Sequence, residues 1–137
     1  MISFFNEDVE FSVPTPRKIK AWLKQVIITE SYTLNQLNYI FCSDEYLLHV
    51  NRQYLDHDFY TDIITFDNAE EERCVEGDIF ISIERVKENA TELGVAFEEE
   101  LKRVLVHGVL HLVGYDDLED EQEIEMRNKE DFYLIRF

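Results

Sequence analysis

The stretch from Phe97 to Gly114, FEEELKRVLVHGVLHLVG, limits the fold most tightly. It has three acids in its first turn, an apolar body and a glycine at its end, which predicts a core helix. Two imidazoles, His107 and His111, interrupt the apolar body one helical turn apart. A helix of this kind has to be buried against other layers, and the flanking segments supply them. Strand-like runs are ISFFNEDVEF, ended by Pro14 and Pro16, then LNQLNYIFC, TDIITFD and CVEGDIFISI. Gly77 inside the last run predicts a bulge or a close backbone approach. Helical runs are PRKIKAWLKQVIITES, with Ile19, Trp22, Leu23 and Val26 on one face; Asp44 to Leu55, with Ser43 as N-cap; ERVKENATELG, ending at Gly94; and DEQEIEMRNKEDFYLI. The order β-α-β-α-β-β-α-α-α predicts one α/β (α+β) domain over residues 1–137, a small mixed four-stranded sheet packed with helices.

Charge narrows the function classes. Thirteen Lys and Arg against 30 Asp and Glu leave a net charge of −17. That excess opposes generic binding to nucleic acid or to a membrane, with no DNA partner expected, so a polyanionic ligand needs a local basic patch or a metal ion. Cys42 and Cys74 are far apart with no ligand-like spacing and read as reduced core thiols. The N-terminus has no basic leader pattern, and no apolar run reaches the roughly 18 residues of a membrane span. A cytoplasmic protein is the expectation.

His107 and His111 stand at i, i+4, which puts both rings on one helix face. Gly114 lets the chain turn back, and Asp117 follows three residues later. The pattern H-x-x-x-H-x-x-G-x-x-D has the metzincin spacing, with Asp in place of that group's third His. A carboxylate is an ordinary zinc ligand, and three protein ligands leave a fourth position for an activated water. Asp116 is an alternative ligand, though the spacing favours Asp117. Zinc peptidases carry a Glu base directly after the first His, where this chain has Gly108. A two-His-one-carboxylate set also suits non-haem Fe(II), but nothing else in the chain suggests a cosubstrate pocket.

The segment VHGVLHLVGYDD closely resembles the signature of the YbeY family of metal-dependent endoribonucleases. VNRQYLDHDFYTDIITFD, EGDIFIS and EIEMRNKED are similar to three further family segments, in order, so the resemblance covers nearly the whole chain. It implies a compact α/β domain with a metzincin-like zinc helix. It further implies one Zn(2+) per chain held by His107, His111 and Asp117, with metal-bound water as the attacking group. The implied activity is single-strand-specific cleavage in small-subunit (16S) rRNA maturation and ribosome quality control. The implied partners are single-stranded rRNA and the small ribosomal subunit. Two positions depart from the family: Asp117 stands where a third His is usual, and Leu55 where an Arg is usual. That Arg is a natural phosphate holder, so Arg52, His57 or another cation would have to stand in.

Other residues carry weaker signals. Thr61, Asp62 and Asp67 flank the third strand, either bordering the cleft and orienting a ligand or serving as turn and cap residues. His49 and His57 read as surface or packed histidines, with His57 a candidate for the cleft rim. Arg17, Lys20 and Lys24 share one face of the first helix, either tracking an RNA backbone or simply solvated. Two other functions fit the same residues: a metzincin-like metallopeptidase, and a non-catalytic ribosome-associated factor with a structural metal.

Overall fold

Strands β2 (Thr33–Cys42) and β4 (Cys74–Ser82) form the centre of the sheet because their sequences bury both faces, as parallel neighbours must. The computed structural model describes residues 1–137. The sheet order is β1-β2-β4-β3, with β1 (Ile2–Asn6) parallel to β2, β2 parallel to β4, and β3 (Ile63–Asp67) antiparallel to β4. A parallel pair needs a crossover, and helix α1 (Pro16–Thr29) provides it between β1 and β2. Helix α2 (Asp44–Leu55) follows β2, and β3 then returns to β4 through a short hairpin connection. Helices α3 (Ile83–Leu93), α4 (Phe97–Leu112) and α5 (Asp120–Ile135) complete the chain.

Side chains alternate across the sheet with period two. Ile79 and Ile81 point into the main core with Leu101, Leu105, Val109 and Trp22, while Phe80 and Ile64 pack with Leu47 and Val50 of α2 on the opposite face. Helix α4 lies in the main core: Leu101, Leu105, Val106, Val109 and Leu110 are all fully buried. The apolar body of this segment therefore folds as expected, with the sheet on one side and α1, α3 and α5 around it.

One expectation is corrected, and one open alternative is decided. The first strand stops at Asn6, not Phe11. Asn6 donates to the Phe11 carbonyl at 2.8 Å and Asp8 accepts from the Ser43 amide at 2.8 Å, so turn-forming side chains pull the chain off the sheet edge. Gly77 marks a close approach and not a bulge: a Cβ there would sit 2.4 Å from the Phe66 carbonyl oxygen. The register irregularity falls on β2, between Leu34 and Gln36. Both cysteines are free, Cys42 buried and Cys74 partly so, and burial pushes the Cys42 thiol up to about 12.

Candidate metal centre

Helix α4 presents Glu100, Arg103, Val104, His107 and His111 along one stripe at the spacings 3, 4, 7 and 11. Its other side meets the sheet so closely that a Cβ on residue 108 would lie 2.8 Å from Ile79 Cδ1 and 3.1 Å from Ile63 Cδ1. Gly108 is thus a packing residue. The position after the first His faces the core, and no carboxylate fits there.

The helix ends where Gly114 takes φ 102°, a conformation that a side chain strains. Gly114 N–H donates to the His111 carbonyl at 3.1 Å and Tyr115 N–H to the Leu110 carbonyl at 3.0 Å, closing the last turn. The returning turn is held at both ends. Tyr115 Oη donates to Glu30 Oε1 at 2.7 Å, and Gln122 Oε1 accepts from the amides of Leu118 and Glu119 at 3.2 and 3.1 Å. Glu30 also accepts from Lys129 Nζ at 3.1 Å and from the Tyr133 hydroxyl, which ties the end of α1 and helix α5 to the same turn.

Asp117 is carried back over the histidines. The Nε2 atoms of His107 and His111 are 3.0 Å apart, and Asp117 Oδ2 lies 3.4 Å from the first and 3.5 Å from the second. Three donors bound at 2.0–2.1 Å at tetrahedral angles stand about 3.3–3.4 Å from one another. The donor set therefore fits a small tetrahedral ion with one position left open. Asp116 is exposed and outside this cluster.

Glu130 on α5 completes the arrangement. Its side chain is buried, accepting from His107 Nδ1 at 2.7 Å and from Arg103 Nη1 at 2.8 Å, while Arg103 Nη2 reaches Asp131 at 2.6 Å. A carboxylate on Nδ1 fixes the ring and directs Nε2 toward the other donors. Burial pushes the His107 imidazolium down, but the Glu130 hydrogen bond and charge, with Asp117 and Asp62, outweigh it and raise its pKa. His111 goes the other way, lowered by burial and by the charge of His107. Burial opposes ionisation of Glu130, yet His107 and Arg103 hold it below the usual carboxylate range.

Two concavities meet at the triad. One of about 250 Å³ is lined by His107 and Asp117 together with Asp62, Glu100, Arg103, Arg127 and Glu130. The other, about 400 Å³, is lined by His111 with Tyr32, Asp67, Glu71, Glu72, Arg73 and Gly114. Asp62 is half-buried in the first, its carboxyl raised by burial despite the nearby His107, and it accepts from Asn89 Nδ2 at 3.3 Å. Glu100 is raised for the same reason, with Asp62 adding to it.

The other expected residues stand apart from the triad. Thr61 is half-buried and donates to the Ile63 carbonyl at 3.5 Å. His57 is exposed and stacks on Phe59, and Arg52 is exposed and paired with Asp58. Arg17, Lys20 and Lys24 line neither concavity; Lys20 lies over the Phe4 ring, 5.0 Å from its centroid. Glu130 was within the EIEMRNKED motif but had no assigned role. Its signal was a carboxylate on the buried stripe of α5 that Met126 and Tyr133 also occupy.

A family model described as Endoribonuclease YbeY matches residues 2–137. The chain is 53% identical over 133 residues to Endoribonuclease YbeY of Cytophaga hutchinsonii, covering 97% of this chain and 93% of that protein. It is 50% identical over 137 residues to the Endoribonuclease YbeY of Flavobacterium psychrophilum, covering 100% and 96%. Among solved structures it is similar to a Thermotoga maritima protein determined in solution, with a TM-score of 0.71 and 33% identity over 98% of this chain and 87% of that one. No helix is long and apolar enough to cross a membrane.

Proposed function

Because the chain belongs to the Endoribonuclease YbeY family, we propose that it is a metal-dependent endoribonuclease whose ion is held by His107, His111 and Asp117. The observation that carries this reading is the convergence of three donor atoms at 3.0, 3.4 and 3.5 Å on the helix-turn segment His107–Asp117. Two imidazoles and one carboxylate suit zinc, one ion per chain. When bound, the ion supplies Lewis acidity toward a phosphate and acidifies water. The chain's own residues do the rest. Glu130 holds the His107 ring so that Nε2 is free of a proton toward the ion, and Arg103 keeps Glu130 in place. Asp62 and Glu100, both held toward the neutral form by burial, line the concavity beside the donors and are candidates for proton transfer to the leaving oxygen.

The substrate we infer is single-stranded rRNA, in maturation and quality control of the small ribosomal subunit. An unpaired strand gives an exposed phosphodiester access to a site on an open surface turn. Gly108 weighs against peptide hydrolysis, since the position of the peptidase base is filled by the packing of α4 on the sheet. The test is metal content and cleavage of single-stranded rRNA by the wild type beside His111→Ala and Asp117→Ala. The expected result is stoichiometric zinc and chelator-sensitive cleavage in the wild type, with both lost in the variants. A metal-loaded protein that leaves the RNA intact overturns the reading, and chelator-sensitive cleavage of a peptide library instead would replace it.

A further inference from the structure

The chain carries 30 acidic and 13 basic side chains, so a guanidinium without a carboxylate partner is notable. Arg52, Arg85 and Arg103 are all paired with carboxylates, at Asp58, at Asp44 and at Glu130 and Asp131. Arg17 and Arg136 have no carboxylate partner but line neither concavity; Arg73 and Arg127 are likewise unpaired, although each lies in a pocket lined with acidic residues. These two line the two concavities that meet at the triad. Arg127, exposed on α5, shares the pocket of His107 and Asp117; Arg73, on the β3–β4 connection, shares that of His111. Arg73 also takes φ 54° on a non-glycine residue and lies over the Tyr32 ring, 5.6 Å from its centroid. An unusual backbone conformation and an aromatic support thus present its head group beside the site.

Resting on the RNA reading above, we propose that Arg73 and Arg127 bind the backbone phosphates on either side of the scissile one, so that the strand runs from one concavity to the other across His107, His111 and Asp117. A guanidinium with all its N–H donors open binds phosphate bidentately. In a chain of net charge −17, two such groups at the mouths of the site supply the local attraction that the rest of the surface denies. They also occupy the role left open by Leu55, which is exposed and apolar.

The test is the salt dependence of binding, read by fluorescence anisotropy with a short fluorescein-labelled oligouridylate and zinc-loaded protein, the oligonucleotide checked for integrity on a gel. Each phosphate contact contributes about 0.7 to the slope of log K against log salt for a single strand. Arg127→Gln and Arg73→Asn, the latter because Asn tolerates positive φ, are each expected to lower the slope by about 0.7 and weaken binding roughly tenfold. The double variant is expected to lose about 1.4 of slope. Arg73→Lys and Arg127→Lys should restore most of the slope, and every variant should keep wild-type zinc content. Lys87→Gln removes an exposed charge on α3 that lines neither concavity and should leave the slope unchanged. Wild-type slopes in both arginine variants overturn this proposal and leave the endoribonuclease reading standing, as does an equal loss in Lys87→Gln. A zinc-loaded wild type that neither binds nor cuts the RNA overturns both.

Discussion

Glu130→Gln isolates the part of the site that lies outside the ligands. The substitution keeps shape and removes one charge from a side chain only 4% exposed. The amide oxygen can still accept from His107 Nδ1, so the charge-assisted bond at 2.7 Å becomes a neutral one, while the amide NH2 then faces Arg103 Nη1 and cannot accept from it, so the bond at 2.8 Å is lost. Arg103 retains Asp131 at 2.6 Å, so the fold keeps a partner for the guanidinium and should tolerate the change. Loss of such a partner to a ligating imidazole typically costs 10- to 100-fold in metal affinity, or about 1.4–2.7 kcal/mol at about 1.4 kcal/mol per tenfold. A hydrogen bond to a charged group is worth about 1.5–3 kcal/mol, a range that overlaps that figure. One effect opposes it. Without Glu130 the His107 imidazolium loses its main stabiliser, so protons compete less for the site. Competition titration against a fluorescent zinc chelator, well above neutral pH where both imidazoles are unprotonated, removes that opposing effect. The expected result is a 10- to 100-fold weaker affinity with near-wild-type thermal stability. Affinity within about twofold of wild type would refute the argument that Glu130 orients and activates His107.

Three further outcomes follow from the same geometry. Zinc uptake should release protons, and more of them as pH falls, because the raised His107 holds a proton more tightly than a free imidazole and has to give it up to the ion; calorimetry in buffers of different ionisation enthalpy measures it, and no release at any pH contradicts the raised His107. In the metal-free protein the raised His107 contributes stability that is complete below the ordinary imidazole value of about 6.5 and lost as pH rises through its folded value, while zinc affinity changes in the opposite direction and strengthens as pH rises; thermal melts and zinc titrations across that range check both. Gly108→Ala should destabilise by about 1 kcal/mol, since overpacking of 1–3 kcal/mol against Ile79 and Ile63 exceeds the roughly 1 kcal/mol of helix propensity it gains; a stabilised variant in urea denaturation would show that α4 has room to move off the sheet.

Legibility in the sequence followed the reach of the forces involved. The bounds of α2 and α5 were readable because local chemistry sets them, Ser43 accepting from the Tyr46 amide in one and acids filling the first turn of the other. The donor triad was readable because all three residues lie within one helix and its turn. The end of β1 was not, since Asp8 bonds the Ser43 amide from a distant part of the chain. Gly108 announced the absence of a base, but its packing reason needed Ile63 and Ile79 from two strands. The role of Glu130 depended on α5 docking against α4, and the arginines of interest changed from those of α1 to Arg73 and Arg127 for the same reason: which cations face a cleft is decided by tertiary structure.

The locality of the donor triad also sets how metal and folding are linked. His107, His111 and Asp117 fall within eleven consecutive residues, so an unfolded chain keeps them close together. A ligand stabilises a protein only to the extent that it prefers the native form, and a denatured ensemble with affinity of its own for zinc erodes the gain. Saturating metal should therefore raise the melting temperature less than its affinity for the folded protein implies. The shortfall measures how much of that affinity comes from the eleven-residue segment alone, and the remainder is what Glu130 and the Glu30-anchored turn contribute by holding it in shape.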